Sequence, residues 1–286
     1  MNVLVTGGSG FIGSHVVDKL IAAGHRVRVL DLKEPHRADV EFIQGDITVR
    51  DDINRATEQI EVVYHIAAFS NIDKVRDNPL TTIERNILGT AYLLEDCVQR
   101  KVKRFIFASS VYVYDQGGHL YTTAKQASEM LCKDYNALYG LPYTILRYGT
   151  AYGPRSRRAD VISVFIERAL NGQSLTIYGS GNQARHFIYV EDLAEGNVAA
   201  LQEVARNQTY NLEGSRPITV KEIAQAVKKL VADVPIEYGK ARPQDYGGTV
   251  IPPEGVSKEL GWQPRVDLEE GIRRYVDWYR SLGMGK

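Results

Sequence analysis

Two cysteines, Cys97 and Cys132, leave this 286-residue chain without a disulfide framework, and neither stands in a Cys-x-x-Cys pair or a Cys/His cluster. No metal site is therefore expected, and both thiols read as small reduced residues packed inside helix-like segments. The chain also lacks an excess of either charge. Its 35 Lys and Arg balance 35 Asp and Glu, so no overall field draws it to nucleic acid or to an anionic membrane surface, and any anionic partner must be bound locally. No apolar run reaches membrane-spanning length, and Met1–Thr6 reads as a strand without the basic start and apolar stretch of a secretory signal. A cytoplasmic protein is the expectation. The sequence has no internal repeat, low-complexity tract or heptad run, which argues against an array or a coiled coil.

What is present is an alternation. Strand-like runs at Asn2–Thr6, Arg26–Asp31, Glu41–Gln44, Glu61–Ile66, Arg104–Ala108 and Tyr143–Leu146 are separated by segments with helical spacing. That pattern predicts parallel strands joined by crossover helices. The longest helices are expected over Leu80–Arg100, after Pro79, and over Tyr121–Tyr139, which stops at Gly140 and Pro142. After Tyr148 the pattern loosens around Gly153-Pro154, Gly179-Ser180-Gly181 and Pro252-Pro253, and helical spacing returns in Val220–Val231 and Leu268–Leu282.

The first strand, Val3-Leu4-Val5-Thr6, runs into Gly7-Gly8-Ser9-Gly10-Phe11-Ile12-Gly13, after which Val16, Val17, Leu20 and Ile21 recur at helical spacing. A glycine turn alone need hold nothing; between a strand and a helix it is the phosphate cradle of a dinucleotide fold. The turn is tight, a pyrophosphate must approach bare backbone, and the helix start offers unpaired N–H groups at the positive end of its dipole. The second strand ends at Asp31, where a carboxylate accepts from the adenosine ribose hydroxyls and repels a 2′-phosphate, favouring NAD over NADP. Lys33 and Arg37 are the groups that would argue the other way. The fold class expected is α/β: a Rossmann-type doubly wound parallel sheet from residues 1–152 with 185–205, and a smaller mixed α/β C-terminal substrate-binding region from 153–184 with 206–286.

Tyr121-Thr122-Thr123-Ala124-Lys125 begins a helix whose turn brings a phenol and an ammonium to one face. Ionising a phenol of pKa about 10 near neutrality requires roughly 3–4 kcal/mol. One unit charge about 4 Å away supplies about 4 kcal/mol at an effective dielectric of about 20. Lys125 thus makes Tyr121 a candidate general base. The motif alone also fits a core tyrosine beside a solvated lysine; Ser109-Ser110, just after the fifth strand at the carboxyl edge where such sheets bind ligands, turns the balance toward catalysis.

With these motifs in place, the whole chain resembles the extended short-chain dehydrogenase/reductase family, most closely its nucleotide-sugar epimerase and dehydratase branch. The resemblance is carried by TGGSGFIG at Thr6–Gly13, GDI at Gly45–Ile47, HIAA at His65–Ala68, NILGT at Asn86–Thr90, FASSVYVY at Phe107–Tyr114, YTTAK at Tyr121–Lys125, RYGTAYGP at Arg147–Pro154, ARHFIYVEDLA at Ala184–Ala194 and LGWQP at Leu260–Pro264. It implies NAD as cofactor, held by Gly7, Gly10, Phe11, Ile12, Gly13, Asp31, Asp46, Ile47, Ala67, Ala68, Asn86, Tyr121 and Lys125. It implies Ser110, Tyr121 and Lys125 as the catalytic set, with Asn86 a structural or proton-relay residue. It further implies a nucleotide-diphosphate sugar contacted by Ser110, Tyr148 and Thr150, its diphosphate held by Arg185 and Arg242, and a homodimer through the helices around Asn86–Arg100 and Gln126–Tyr139.

The departures narrow the function. Asp115 follows Val113-Tyr114 where the family usually has glycine, the loop to Tyr121 is short, Thr150 replaces a common asparagine, and His186 replaces a common aspartate. Dehydratases of the family carry an Asp-Glu pair directly after the catalytic hydroxyl residue, where this chain has Val111 and Tyr112. The expected activity is therefore inversion at C4 of a nucleotide sugar through a 4-keto intermediate. The alternatives are a nucleotide-sugar 4-dehydrogenase or ketoreductase that releases the keto-sugar, and a non-catalytic NAD-binding regulatory protein.

Overall fold

Val3, Leu4 and Val5 have no exposed surface, so the first strand, β1 (Asn2–Thr6), is covered on both faces, as a continuous apolar run in a parallel sheet requires. In the computed structural model, which describes residues 1–114, 119–156, 160–241 and 259–283, β1 lies inside a seven-stranded sheet. The other strands are β2 (Arg26–Asp31), β3 (Glu41–Gln44), β4 (Val62–His65), β5 (Arg104–Ser110), β6 (Tyr143–Tyr148) and β11 (Gln208–Leu212), in the order β11-β6-β5-β4-β1-β2-β3. Every pairing in it is parallel. The strand order reverses between β1 and β4, and the crevice past the carboxyl ends at such a switch point is where doubly wound sheets bind ligands.

The described residues fall into two compact units, one drawn from those within 1–148, 194–212 and 259–262, the other from those within 149–193, 213–241 and 263–283. The expected division assigned 206–212 to the smaller region; β11 instead adds to the large sheet beside β6, with Tyr210 opposite Leu146. In the first unit the core joins sheet residues Leu4, Leu30, Val63 and Phe105 to Leu93, Leu94 and the two free cysteines, Cys97 and Cys132. The helices are α1 (Phe11–Ala22), α2 (Arg50–Thr57), α3 (Ile72–Asp77), α4 (Pro79–Ile83), α5 (Gly89–Gln99) and α6 (Leu120–Tyr139). Helix α6 ends where Gly140 turns left-handed at φ 71°. The helix expected over Leu80–Arg100 is not continuous: a π-helical turn at Glu84–Leu88 separates α4 from α5.

The second unit holds strands β7 (Thr150–Tyr152), β8 (Leu175–Tyr178), β9 (Ala184–Arg185), β10 (Phe187–Tyr189), β12 (Ile218–Thr219) and β13 (Ile236–Gly239), paired two by two. Its helices α7 (Val161–Leu170), α9 (Val220–Leu230) and α10 (Leu268–Ser281) bury Phe165, Ile166, Ile223, Val227, Ile272 and Tyr275 in a separate core. Helix α8 (Val190–Ala199) carries the chain back to the large sheet. The start of α9 is set by Thr219 and Glu222, each accepting from the other's backbone amide. Among the described residues no helix is long and apolar enough to cross a membrane.

Candidate active site

The glycine turn after β1 is built so that side chains cannot enter it. Gly7 sits at φ 73°, and a Cβ there would lie 2.6 Å from the amide nitrogen of Ala67. A Cβ on Gly13 would lie 2.1 Å from the Gly7 carbonyl oxygen. Helix α1 starts at Gly10 with no side-chain cap, which leaves the first-turn amides of Phe11, Ile12 and Gly13 to an anion. Asp31, at the end of β2, accepts from the amides of Ser9 (3.0 Å) and Lys33 (3.2 Å), which fixes its carboxylate beside this turn. Arg37 is committed to Asp18 and Asp39, at 3.1 and 2.7 Å, so it is not a free cation for a 2′-phosphate. These residues fit a dinucleotide with an unphosphorylated ribose.

The remaining residues expected at the cofactor follow the neighbouring strands. Asp46, after β3, accepts from both the amide and the hydroxyl of Thr48 and from Arg85 at 3.4 Å. Ile47 is buried against Gly89 of α5. Ala67 and Ala68 follow β4, and the Ala67 amide donates to the Thr6 carbonyl at 2.9 Å.

A buried histidine links this cradle to the π turn. Thr90 donates its hydroxyl to the Asn86 carbonyl at 2.7 Å, so it must accept from His65 Nε2–H at 2.9 Å. His65 Nδ1 then accepts from the Thr6 hydroxyl at 2.8 Å, and the Thr6 oxygen accepts from the Ala67 amide at 3.3 Å. Burial, with a smaller contribution from the charge of Lys125, pulls the His65 pKa down to about 3, which keeps the imidazole in the neutral form this chain requires. The side chain of Asn86 clamps the backbone of Phe69, accepting from its amide at 2.7 Å and donating to its carbonyl at 3.0 Å. The Asn86 carbonyl also receives the Ser128 hydroxyl of α6 at 2.8 Å.

β5 runs two residues further than the expected Arg104–Ala108, so that Ser110 is its last residue, buried with Tyr121 and Lys125 of α6. Lys125 Nζ donates to the Ala108 carbonyl at 2.5 Å, stands 4.7 Å from the centre of the Phe107 ring and 5.8 Å from that of Tyr121. Burial lowers its pKa to about 8, against the opposing pull of Glu129. The Ser110 oxygen accepts from the Tyr112 amide at 3.2 Å. The turn after it is held to α6 by Thr122, which donates to Tyr112 O, and Gln126, which donates to Val113 O.

Sequence reasoning missed the group beneath this set. Ser109 donates to Glu129 at 2.5 Å, and Arg147 of β6 grips the same carboxylate through Nε at 2.9 Å and a terminal nitrogen at 2.6 Å. Arg147 also donates to the Tyr114 hydroxyl, which donates onward to Asn211 of β11. The available signal was the spacing of four that puts Tyr121, Lys125 and Glu129 on one face of α6.

Of the expected substrate residues, Tyr148 is buried with its hydroxyl on Asn197 Oδ1 at 2.6 Å. In the second unit, Thr150 and Arg185 are half-buried on β7 and β9. His186 is buried, its Nδ1–H donating to the Gly214 carbonyl at 2.9 Å. Arg242 and Asp115 lie outside the described residues.

Residues 3–212 match the family model described as the NAD dependent epimerase/dehydratase family. A Methanocaldococcus jannaschii protein provisionally named a UDP-glucose 4-epimerase is 36% identical, with 98% of each chain covered. A UDP-N-acetyl-alpha-D-glucosaminuronate decarboxylase of Bacillus cytotoxicus is 32% identical, again over 98% of each chain. Among solved structures, a UDP-glucose 4-epimerase from Thermotoga maritima with UDP-glucose has a TM-score of 0.93 at 32% identity, with 99% of each chain covered.

Proposed function

The chain belongs to the NAD-dependent epimerase/dehydratase family, and from that membership we propose that it inverts C4 of a UDP-linked sugar through a transient 4-keto intermediate. The observation that carries this reading is the buried pairing of Tyr121 with Lys125 on the face of α6 that meets the end of β5. Bound NAD supplies a hydride acceptor that is regenerated when the hydride returns. Tyr121 takes the proton from the sugar O4 and gives it back, while the charge of Lys125 steadies the phenolate. Lys125 spends one N–H on Ala108, which aims the ammonium and leaves two for the reacting side. Ser110 accepts from Tyr112, so its own proton is left to donate to the developing carbonyl.

Dehydration needs a second acid and base, and Val111 and Tyr112 stand where dehydratases of the family carry their Asp-Glu pair, so no carboxylate is supplied there. The buried carboxylate of Glu129 is already held by Arg147 and Ser109. Within this reading Asp31, Asp46, Ile47, Ala67, Ala68 and Asn86 line the cofactor, and Tyr148, Thr150, Arg185 and Arg242 serve the nucleotide sugar. The smaller unit is the substrate-binding region. The enzyme works in the cytoplasm as a homodimer through the helices around Asn86–Arg100 and Gln126–Tyr139, where Leu88, Met130 and Leu138 are exposed.

The test is incubation with NAD and a panel of UDP-, dTDP-, GDP- and CDP-sugars, following NADH absorbance and sugar configuration by proton NMR together. Inversion at C4 without accumulated NADH is the expected result. The short run from Tyr114 to Tyr121 favours one second reading, a 4-dehydrogenase that loses its keto-sugar, and stoichiometric NADH with free keto-sugar would replace the first by the second.

A further inference from the structure

The large sheet has a second concavity at its other edge. A cavity of about 540 Å³ opens at the amino ends of β4, β5 and β6, lined by Val62, Arg104 and Pro142 among others. Its volume is in the range of small-molecule sites. Ser110 and Arg104 are the two ends of β5, six residue steps or about 20 Å apart, so this cavity is distinct from the catalytic one.

The lining carries four cationic side chains, Lys101, Lys103, Arg104 and Arg206, against one carboxylate, Glu203. Arg104 is 6% exposed, and its Nε–H is buried without an acceptor among the described residues. Its terminal nitrogens reach Thr144 and Glu203, both at 3.1 Å. Arg206 reaches the other oxygen of Glu203 at 3.2 Å. Two guanidinium groups thus converge on one anion, and that anion is a surface side chain, 75% exposed, which an incoming ligand can displace at little cost. Burial lowers the pKa of Arg104, with the Glu203 carboxylate opposing and Arg206 adding to the shift. Lys103 is paired with Glu61 at 2.7 Å, and Lys101 has no ion-pair partner among the described residues. Beside these cations the wall is apolar, with Val102, Leu141 and the exposed ring of Tyr139.

We propose that this cavity is a second ligand site, which takes a phosphate monoester with a small apolar body. The phosphate replaces Glu203 between Arg104 and Arg206, with Lys101 at its edge, because planar guanidinium forks match phosphate oxygens. The apolar body rests on Tyr139 and Leu141.

The probe is phenyl phosphate, titrated calorimetrically into the full chain in the presence of saturating NAD and UDP. Saturable binding at one site per chain is expected. Lys101→Glu/Arg206→Glu, two exposed positions, should weaken it at least tenfold, and Glu203→Gln should tighten it several-fold. Benzyl alcohol, which lacks the phosphate, should give no saturable heat. Absence of saturable heat with phenyl phosphate, or an unchanged Kd in the double variant with its circular dichroism intact, overturns the proposal.

Discussion

Lys125 donates to the carbonyl of Ala108 at 2.5 Å, and this bond ties the helix that bears the phenol to the strand that ends in Ser110. An ammonium so enclosed is costly to the fold. Below pH 8 it is charged in folded and unfolded chains alike, and the folded chain carries the full burial penalty. Between about 8 and the ordinary lysine value of 10.5 the folded chain releases its proton first, so stability from this group rises with pH across that window. Relative to Lys125→Met, the native chain should gain up to about 3 kcal/mol between pH 8 and 10.5, while the variant loses turnover. Urea denaturation at pH 7.5 and 10 checks this; parallel changes in the two proteins would show that Lys125 has an ordinary pKa.

Tyr121→Phe keeps the ring and removes the proposed proton acceptor. Turnover should fall by about 10²–10⁴-fold with the Kd for NAD unchanged within a few-fold. Stopped assays with the substrate found in the sugar panel, beside calorimetry with NAD, measure the two separately, and retained turnover would take Tyr121 out of the reaction.

Asp31→Ala removes the carboxylate that Ser9 and Lys33 orient. If Asp31 makes the proposed charge-assisted contact to the ribose, its loss should weaken NAD by about tenfold or more and narrow its advantage over NADP. Equal Kd ratios for the two cofactors before and after substitution would mean that another group reads the ribose.

Arg147→Met strands the buried carboxylate of Glu129 with Ser109 as its remaining partner in this group, and should cost about 3–5 kcal/mol of stability. Adding Glu129→Gln should recover most of that loss, because the uncompensated charge goes with it. The double-mutant cycle in urea gives the coupling directly; additive losses would mean that the two residues act independently.

Strands β1, β4 and β5 were legible because Val3-Leu4-Val5, Val62–His65 and Phe105-Ile106-Phe107 are buried on both faces and leave near-continuous apolar runs, while the half-exposed β2 and β3 were read from shorter apolar stretches. β11 was not, because Gln208–Leu212 alternates polar and apolar residues at a sheet edge, where pairing with β6 rather than local composition decides. The π turn at Glu84–Leu88 was hidden for a similar reason. Local periodicity continues across it, and the extra residue belongs with the grip of Asn86 on Phe69, seventeen positions away. Ser110, Tyr121 and Lys125 were readable as a pattern; Glu129 and Arg147 were not, since the carboxylate and the guanidinium come from different elements.

The hydrogen bonds running from Ala67 through Thr6, His65 and Thr90 to Asn86 all point the same way, and a row of dipoles with one sense of direction behaves as a single object. No hydroxyl in it can turn round alone. A second proton on the imidazole would face the Thr6 hydroxyl with a donor and break the row at that one link, while the bonds from Nε2–H to Thr90 and from Thr90 to the Asn86 carbonyl keep their sense. With the His65 pKa near 3, that event waits for strong acid. Across the ordinary pH range the glycine turn and the π turn packed against α6 therefore keep a common register without any charge between them.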